Sequence, residues 1–230
     1  MGVRSSAGQS SFAERHAGKR WDAWVRSEVG AVRRRLEDSW MVGEARMAGE
    51  AWDAHAVFDG LGGSPNGQEA AWAAAKGLAR AMARATGPRN VLRELDADVL
   101  ATGGASTAAV LLSAQARPGE CWLLGAGDSS VHVLATPGSL LPHDRAGLHA
   151  VTDCLGMPLR RGHALRLRVG PGKALLLCTD GVDQVAGLDA VRECLAAPAA
   201  QSEAALDRLL ACVEARGSPD NATALLVRRL

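Results

Sequence analysis

The sequence predicts an α+β domain, and three observations carry that prediction. Eight short apolar runs bounded by Gly, Pro, Asn or Asp read as strands. Several are joined by Gly/Pro turns such as ARPGE (116–120) and VGPGK (169–173), which favours antiparallel hairpins. Two blocks with helical spacing interrupt the runs. The order of strands, two helices, many strands, two helices and a final strand suits helices laid over sheet faces.

Residues 1–20 are rich in Ser, Gly and Arg without periodicity and are expected to form a mobile tail. The start MGVRSS also fits the short N-myristoylation pattern, a weaker signal than the composition. One domain is expected over 21–230. Its strands are 23–30, 54–59, 106–114, 121–127, 130–136, 164–170, 173–179 and 222–229. The first helix is expected to start at Ser64-Pro65, a capping residue before a first-turn proline. Ala71, Trp72, Ala75, Leu78, Ala79 and Met82 then share one face. A helix over 91–100 follows Gly87-Pro88, and 188–196 and 203–215 form the later pair.

Composition narrows the function classes. With 26 basic and 25 acidic residues the net charge is +1, which argues against nucleic acid or a charged membrane surface as partner. No run of eighteen apolar residues is present, so no membrane span is expected. The cysteines (Cys121, Cys154, Cys178, Cys194, Cys212) are odd in number, lack a CxxC pair and sit mostly in apolar runs. They read as buried thiols of a reducing compartment. The start lacks an apolar signal region, and a cytoplasmic monomer is expected.

The chemistry lies in where the aspartates fall. Asp59 ends HAVFD, Asp128 follows CWLLGAG, Asp180 ends ALLLCTD and Asp220 precedes the last strand in GSPDNATALLV. A fifth, Asp38 in RRRLEDSW, lies between the first two expected strands. Any one of these is ordinary turn chemistry. Together they are carboxylates delivered to strand ends of one sheet protein, and carboxylates that converge there repel unless cations sit between them. Oxygen-only ligands select Mg or Mn, and no Cys/His spacing competes for zinc or copper.

VFDGLGG, GASTAAVLL, GAGDSS, LLLCTDGV and GSPDNATALLV, in that order, resemble the successive motifs of the metal-dependent protein phosphatases, the PPM family or protein phosphatase 2C. The likeness is to bacterial-type members and runs from about Val29 to Val227. It implies a central sandwich of two antiparallel sheets flanked by α-helices, with two Mn or Mg ions at one end and a weaker third. Asp59 matches the residue that bridges both ions, and the carbonyl of Gly60 matches a further ligand. Asp180 and Asp220 match ligands of the first ion, and Asp128 a ligand of the third. Asp38 matches the acid that orders metal-bound water, and Arg33 the arginine that grips phosphate. The activity implied is hydrolysis of phosphoserine or phosphothreonine in a protein substrate by attack of a water shared between two ions, opposing a Ser/Thr kinase.

This chain departs from the pattern at several positions. Leu61 stands where many eukaryotic members have histidine, Ser130 where GDSR has arginine, and Leu36 replaces a common asparagine. Only 135–150 remains of a usually longer flap before VTDCLGMP, so a more open centre and weaker third-ion retention are expected. His55 and His132 read as packed strand residues, while a substrate role stays open for His143 and His149. Trp40, Trp52, Trp72 and Trp122 read as packing; Trp21 and Trp24 are open as a partner surface. The alternative to an active phosphatase is a binding module that keeps the fold. A phosphatase for an anti-sigma-factor antagonist is a third reading. The full set of aspartates favours activity.

Overall fold

In the run ALLLC, Leu175 and Leu177 face one way, Leu176 and Cys178 the other, and every one of them is fully buried. A strand apolar on both faces must be covered on both, and that requirement sets the layering. The computed structural model describes residues 2–4, 11–62, 66–135, 139–140, 153–157 and 162–230. The strands are β1 (Gly2–Arg4), β2 (Ser11–Ala17), β3 (Trp21–Glu28), β4 (Asp38–Met47), β5 (Glu50–Asp59), β6 (Ala108–Ala114), β7 (Glu120–Ala126), β8 (Ser130–Ala135), β9 (Ser139–Leu140), β10 (His163–Arg168), β11 (Ala174–Cys178) and β12 (Ala222–Arg229). The α-helices are α1 (Gly67–Arg84), α2 (Val91–Leu100), α3 (Asp180–Ala186), α4 (Leu188–Ala196) and α5 (Ser202–Ala215).

The strands form two antiparallel sheets, β1-β4-β5-β6-β7-β10 and β2-β3-β12-β11-β8-β9. Val57, Leu111 and Leu123 of the first pack against Val25, Leu177 and Leu225 of the second, making the middle of the sandwich. The outer face of the first sheet, with Ala56, Phe58, Val110 and Leu112, is covered by α1 and α2. Ala70, Ala71, Ala74 and Ala75 let α1 lie close on that face. Leu176, Cys178, Ala224 and Leu226 of the second sheet are covered by α3, α4 and α5. The α+β sandwich flanked by helices is therefore the observed architecture. Leu177 is fully buried between the sheets, so Leu177→Ala is expected to destabilise by about 2–5 kcal/mol through lost contacts and a cavity. Urea unfolding checks this, and an unchanged midpoint would mean the sheets close over the gap.

The structure also corrects the sequence reading. Ser11–Ala17 is a strand paired with β3 along its whole length, where a mobile tail was expected. Its half-buried Phe12, Glu14 and His16 alternate with exposed residues, a period of two too polar to stand out. Residues 5–10 lie outside the described residues, as do Ser64-Pro65, most of the flap remnant and both His143 and His149. The strand β4 was not expected, because its inner half, Asp38 to Val42, is buried on both faces and does not alternate. VGPGK is no hairpin turn: β10 belongs to the first sheet and β11 to the second, so the turn crosses between layers. Trp21 and Trp24 are core residues, whereas Trp72 is 41% exposed beneath Lys76.

Candidate metal centre

The register of β4 against β5 puts Asp38 directly opposite Asp59. Two carboxylates on adjacent strands cannot separate, because the ladder fixes their backbones. Asp180 reaches the same end by a different route. It ends no strand; β11 closes at Cys178, Thr179 is the residue before α3, and Asp180 is the first residue of α3, where the helix end favours a negative charge. Asp220 enters from the turn before β12, and Asp128 from the turn after β7, where Gly127 takes φ 78°.

Electrostatics brings the five into one site. Burial raises Asp38 to about 7; hydrogen bonds from Thr223 and Thr179 partly offset it, and Asp180 and Asp220 add to it. Asp180 is raised to about 6 by burial and then by Asp128 and Asp220. Asp59 is pushed well above the ordinary carboxylate range, first by burial and then by Asp38, Asp180, Asp128 and Asp220. Asp38 Oδ1 is buried without a hydrogen-bond partner among the described residues. Such an oxygen is costly unless a cation takes it. The residues present therefore fit hard divalent ions: the donors are oxygens, they are crowded, and one is orphaned.

Hydroxyl side chains hold Asp38 and the Asp59 backbone, and the sequence reading missed them. Thr179 Oγ1 donates to Asp38 Oδ2 at 3.0 Å and accepts from the Thr223 amide at 3.0 Å. Thr223 Oγ1 lies 2.6 Å from Ser27 Oγ. The Asp59 amide donates to Thr107 Oγ1 at 3.1 Å, and that hydroxyl lies 2.6 Å from Ser129 Oγ, beside Asp128. Buried Ser and Thr at strand ends were the available signal. Gly60 is required for a reason the sequence hides: a Cβ there would lie 2.2 Å from the carbonyl oxygen of Gly67, where α1 begins.

Arg33 lies at this end, its Nη2 2.5 Å from Asp220 Oδ2. A Cβ on Gly62 would lie 2.7 Å from Arg33 Nη1, so the glycine-rich loop leaves the guanidinium its room. Burial raises Cys121 and Cys154 to about 11 and Cys194 to about 12, which suits inert packing and not nucleophiles. His55 is buried and lowered to about 4, a neutral core imidazole. His132 Nε2 lies 2.7 Å from Asp183 Oδ2, both buried. That contact ties β8, which follows Asp128, to α3, which carries Asp180.

A sequence model of the SpoIIE family (stage II sporulation protein E) matches residues 55–230. No curated protein matches the chain by sequence. Among solved structures, PppA, described as a key regulatory component of the T6SS in Pseudomonas aeruginosa, is 26% identical with a TM-score of 0.70. That match covers 91% of this chain and 98% of that one. The catalytic domain of the serine/threonine protein phosphatase PstP with two manganese ions is 22% identical, TM-score 0.71, covering 92% and 99%. RsbX with magnesium is 14% identical, TM-score 0.74, covering 95% and 100%. Arg33 and Asp38 precede the span matched by the family model and reach the site through the sheet ladder and the β3–β4 loop. The chain belongs to the PPM phosphatase family, in its SpoIIE branch.

Proposed function

We propose that this chain is a metal-dependent serine/threonine phosphoprotein phosphatase, acting as a cytoplasmic monomer against the products of a Ser/Thr kinase. The observation that carries the reading is the convergence of Asp38, Asp59, Asp128, Asp180 and Asp220, which holds the carboxyls of Asp38, Asp59 and Asp180 above the ordinary carboxylate range. PstP with manganese and RsbX with magnesium support divalent ions as the ligand of that site. Asp59, Asp180, Asp220 and the Gly60 carbonyl would hold the two principal ions, and Asp128 would hold a third. When bound, Mn or Mg supplies Lewis acidity and an activated water for hydrolysis of a phosphate monoester. Asp38, held by Thr179 and Thr223, orients water at the centre. Arg33 turns its planar fork to two phosphate oxygens and positions the phosphoryl group.

Hydrolysis of p-nitrophenyl phosphate during a manganese titration tests the reading, with chelator and Asp180→Asn as controls. Metal-dependent turnover lost in the variant supports it; a folded protein inactive at every manganese level favours a binding module. Arg33→Ala is expected to lower kcat/KM about 10–100-fold, chiefly through KM, because a charged hydrogen-bond donor to phosphate is removed. Initial rates across substrate concentration check the split, and an unchanged KM would remove Arg33 from phosphate binding.

A further inference from the structure

Three arginines follow one another at the rim of the metal centre, and the loop that carries them is fastened at both ends. The Ala31 amide donates to the Ser218 carbonyl at 2.8 Å. Asn221, buried beside Asp220, donates through Nδ2 to the carbonyls of Val29 at 2.7 Å and Arg35 at 3.0 Å. Its Oδ1 accepts from the Glu37 amide at 2.7 Å. One side chain thus fixes the loop to the turn that delivers Asp220.

On this fixed loop Arg33 turns in to Asp220, while Arg34 and Arg35 are exposed. Among the described residues neither of those two side chains enters a hydrogen bond or ion pair. Elsewhere Arg20, Arg26, Arg84 and Arg117 each engage two carboxylates. Val32, beside them, is 71% exposed. Fastening adjacent like charges without partners is unfavourable within the chain itself, but it presents two guanidinium forks to carboxylates brought from outside.

We propose that Arg34 and Arg35, with Val32, form a docking rim for the acidic segment flanking the phosphorylated residue, so that the substrates are phosphoproteins modified within acidic sequence. The inference rests on the phosphatase reading for what occupies the adjoining centre. Residues of an extended peptide are spaced about 3.3 Å apart, so acids within a few residues of a phosphoserine gripped by Arg33 fall beside Arg34 and Arg35. Basic flanks meet repulsion there, which makes the rim a selector as well as an attractor.

The test is equilibrium binding, read by fluorescence anisotropy with manganese present at low salt. The two labelled peptides carry a non-hydrolysable phosphonate analogue of phosphoserine, one with glutamate and one with alanine flanks. The wild type is expected to bind the acidic peptide about 5–10-fold more tightly, a preference that fades with salt. Arg34→Ser/Arg35→Ser is expected to bring the two affinities together, and Arg34→Lys/Arg35→Lys to keep part of the preference. Equal wild-type affinities, or a preference unchanged in the serine variant, would overturn the inference. Turnover of p-nitrophenyl phosphate by the wild type separately reports on the phosphatase reading. Thermal melting checks that the variants fold.

Discussion

Replacing Asp59 by asparagine is expected to lower manganese-dependent phosphate-ester hydrolysis by about 10³-fold, as loss of several kcal/mol of metal-derived stabilisation requires. Asp59 faces Asp38 across the β4–β5 ladder and interacts with Asp180, Asp128 and Asp220, so of the five carboxylates it is the one that would be shared between bound cations on the proposed reading. Asparagine keeps the shape and the backbone bonds to Thr107 but supplies one neutral oxygen in place of a shared anion. Asp128→Asn is the contrasting case. It sits on the turn after β7, and the neighbouring Ser130 hydroxyl lies 3.4 Å from the Asp128 carbonyl. Its loss is expected to cost roughly 10-fold, mostly recovered at high manganese, as for a weakly held ion. Steady-state rates across a manganese titration compare the two variants. Equal losses would mean that Asp128 belongs to the principal pair.

The second large effect is on stability, and its sign is opposite for the metal-free and metal-loaded protein. Asp38, Asp59 and Asp180 have folded-state pKa values raised above those of the unfolded chain. The folded state therefore binds protons more tightly, and the stability this gives is complete below about pH 4 and lost as pH rises through about 7. In chelator at pH 8 Asp38 and Asp180 are charged and repel each other. Asp38→Asn removes one charge while keeping an acceptor for Thr179, and it is expected to raise the melting temperature by roughly 5–10 °C. The gain should shrink towards zero below pH 5, where the wild-type carboxyl is itself neutral. Manganese should raise the wild type more than the variant, because binding to the folded state alone stabilises it. Melting curves across pH, with and without manganese, test all three statements. Identical curves at pH 8 in chelator would show that the buried carboxylates are not under strain.

The chain itself announces the aspartates, because an acid at the exit of a run as apolar as HAVFD or ALLLCTD has no packing reason to be there. It also announces the strand β12 and the helices α2 and α4, whose bounds match the sequence reading exposed by Gly, Pro and apolar spacing. Five short motifs in order were enough to name the family.

What the sequence by itself determined was the list of candidate ligands and the α+β class; what only the tertiary structure decided was who stands beside whom. Asp38 meets Asp59 because β4 and β5 pair in one particular register, and a shift of one residue would turn the two acids away from each other. Thr179 and Thr223 hold Asp38 across more than 140 residues of chain, a relation no local pattern encodes. Gly60 is glycine because α1 begins against it, and Arg34 and Arg35 stand unpaired among the described residues on a loop that Asn221 fastens from the far end of the sequence. Periodicity reports which face of an element is apolar. Register, close approach and unpaired charge arise from distances between elements, which are set only when the layers pack.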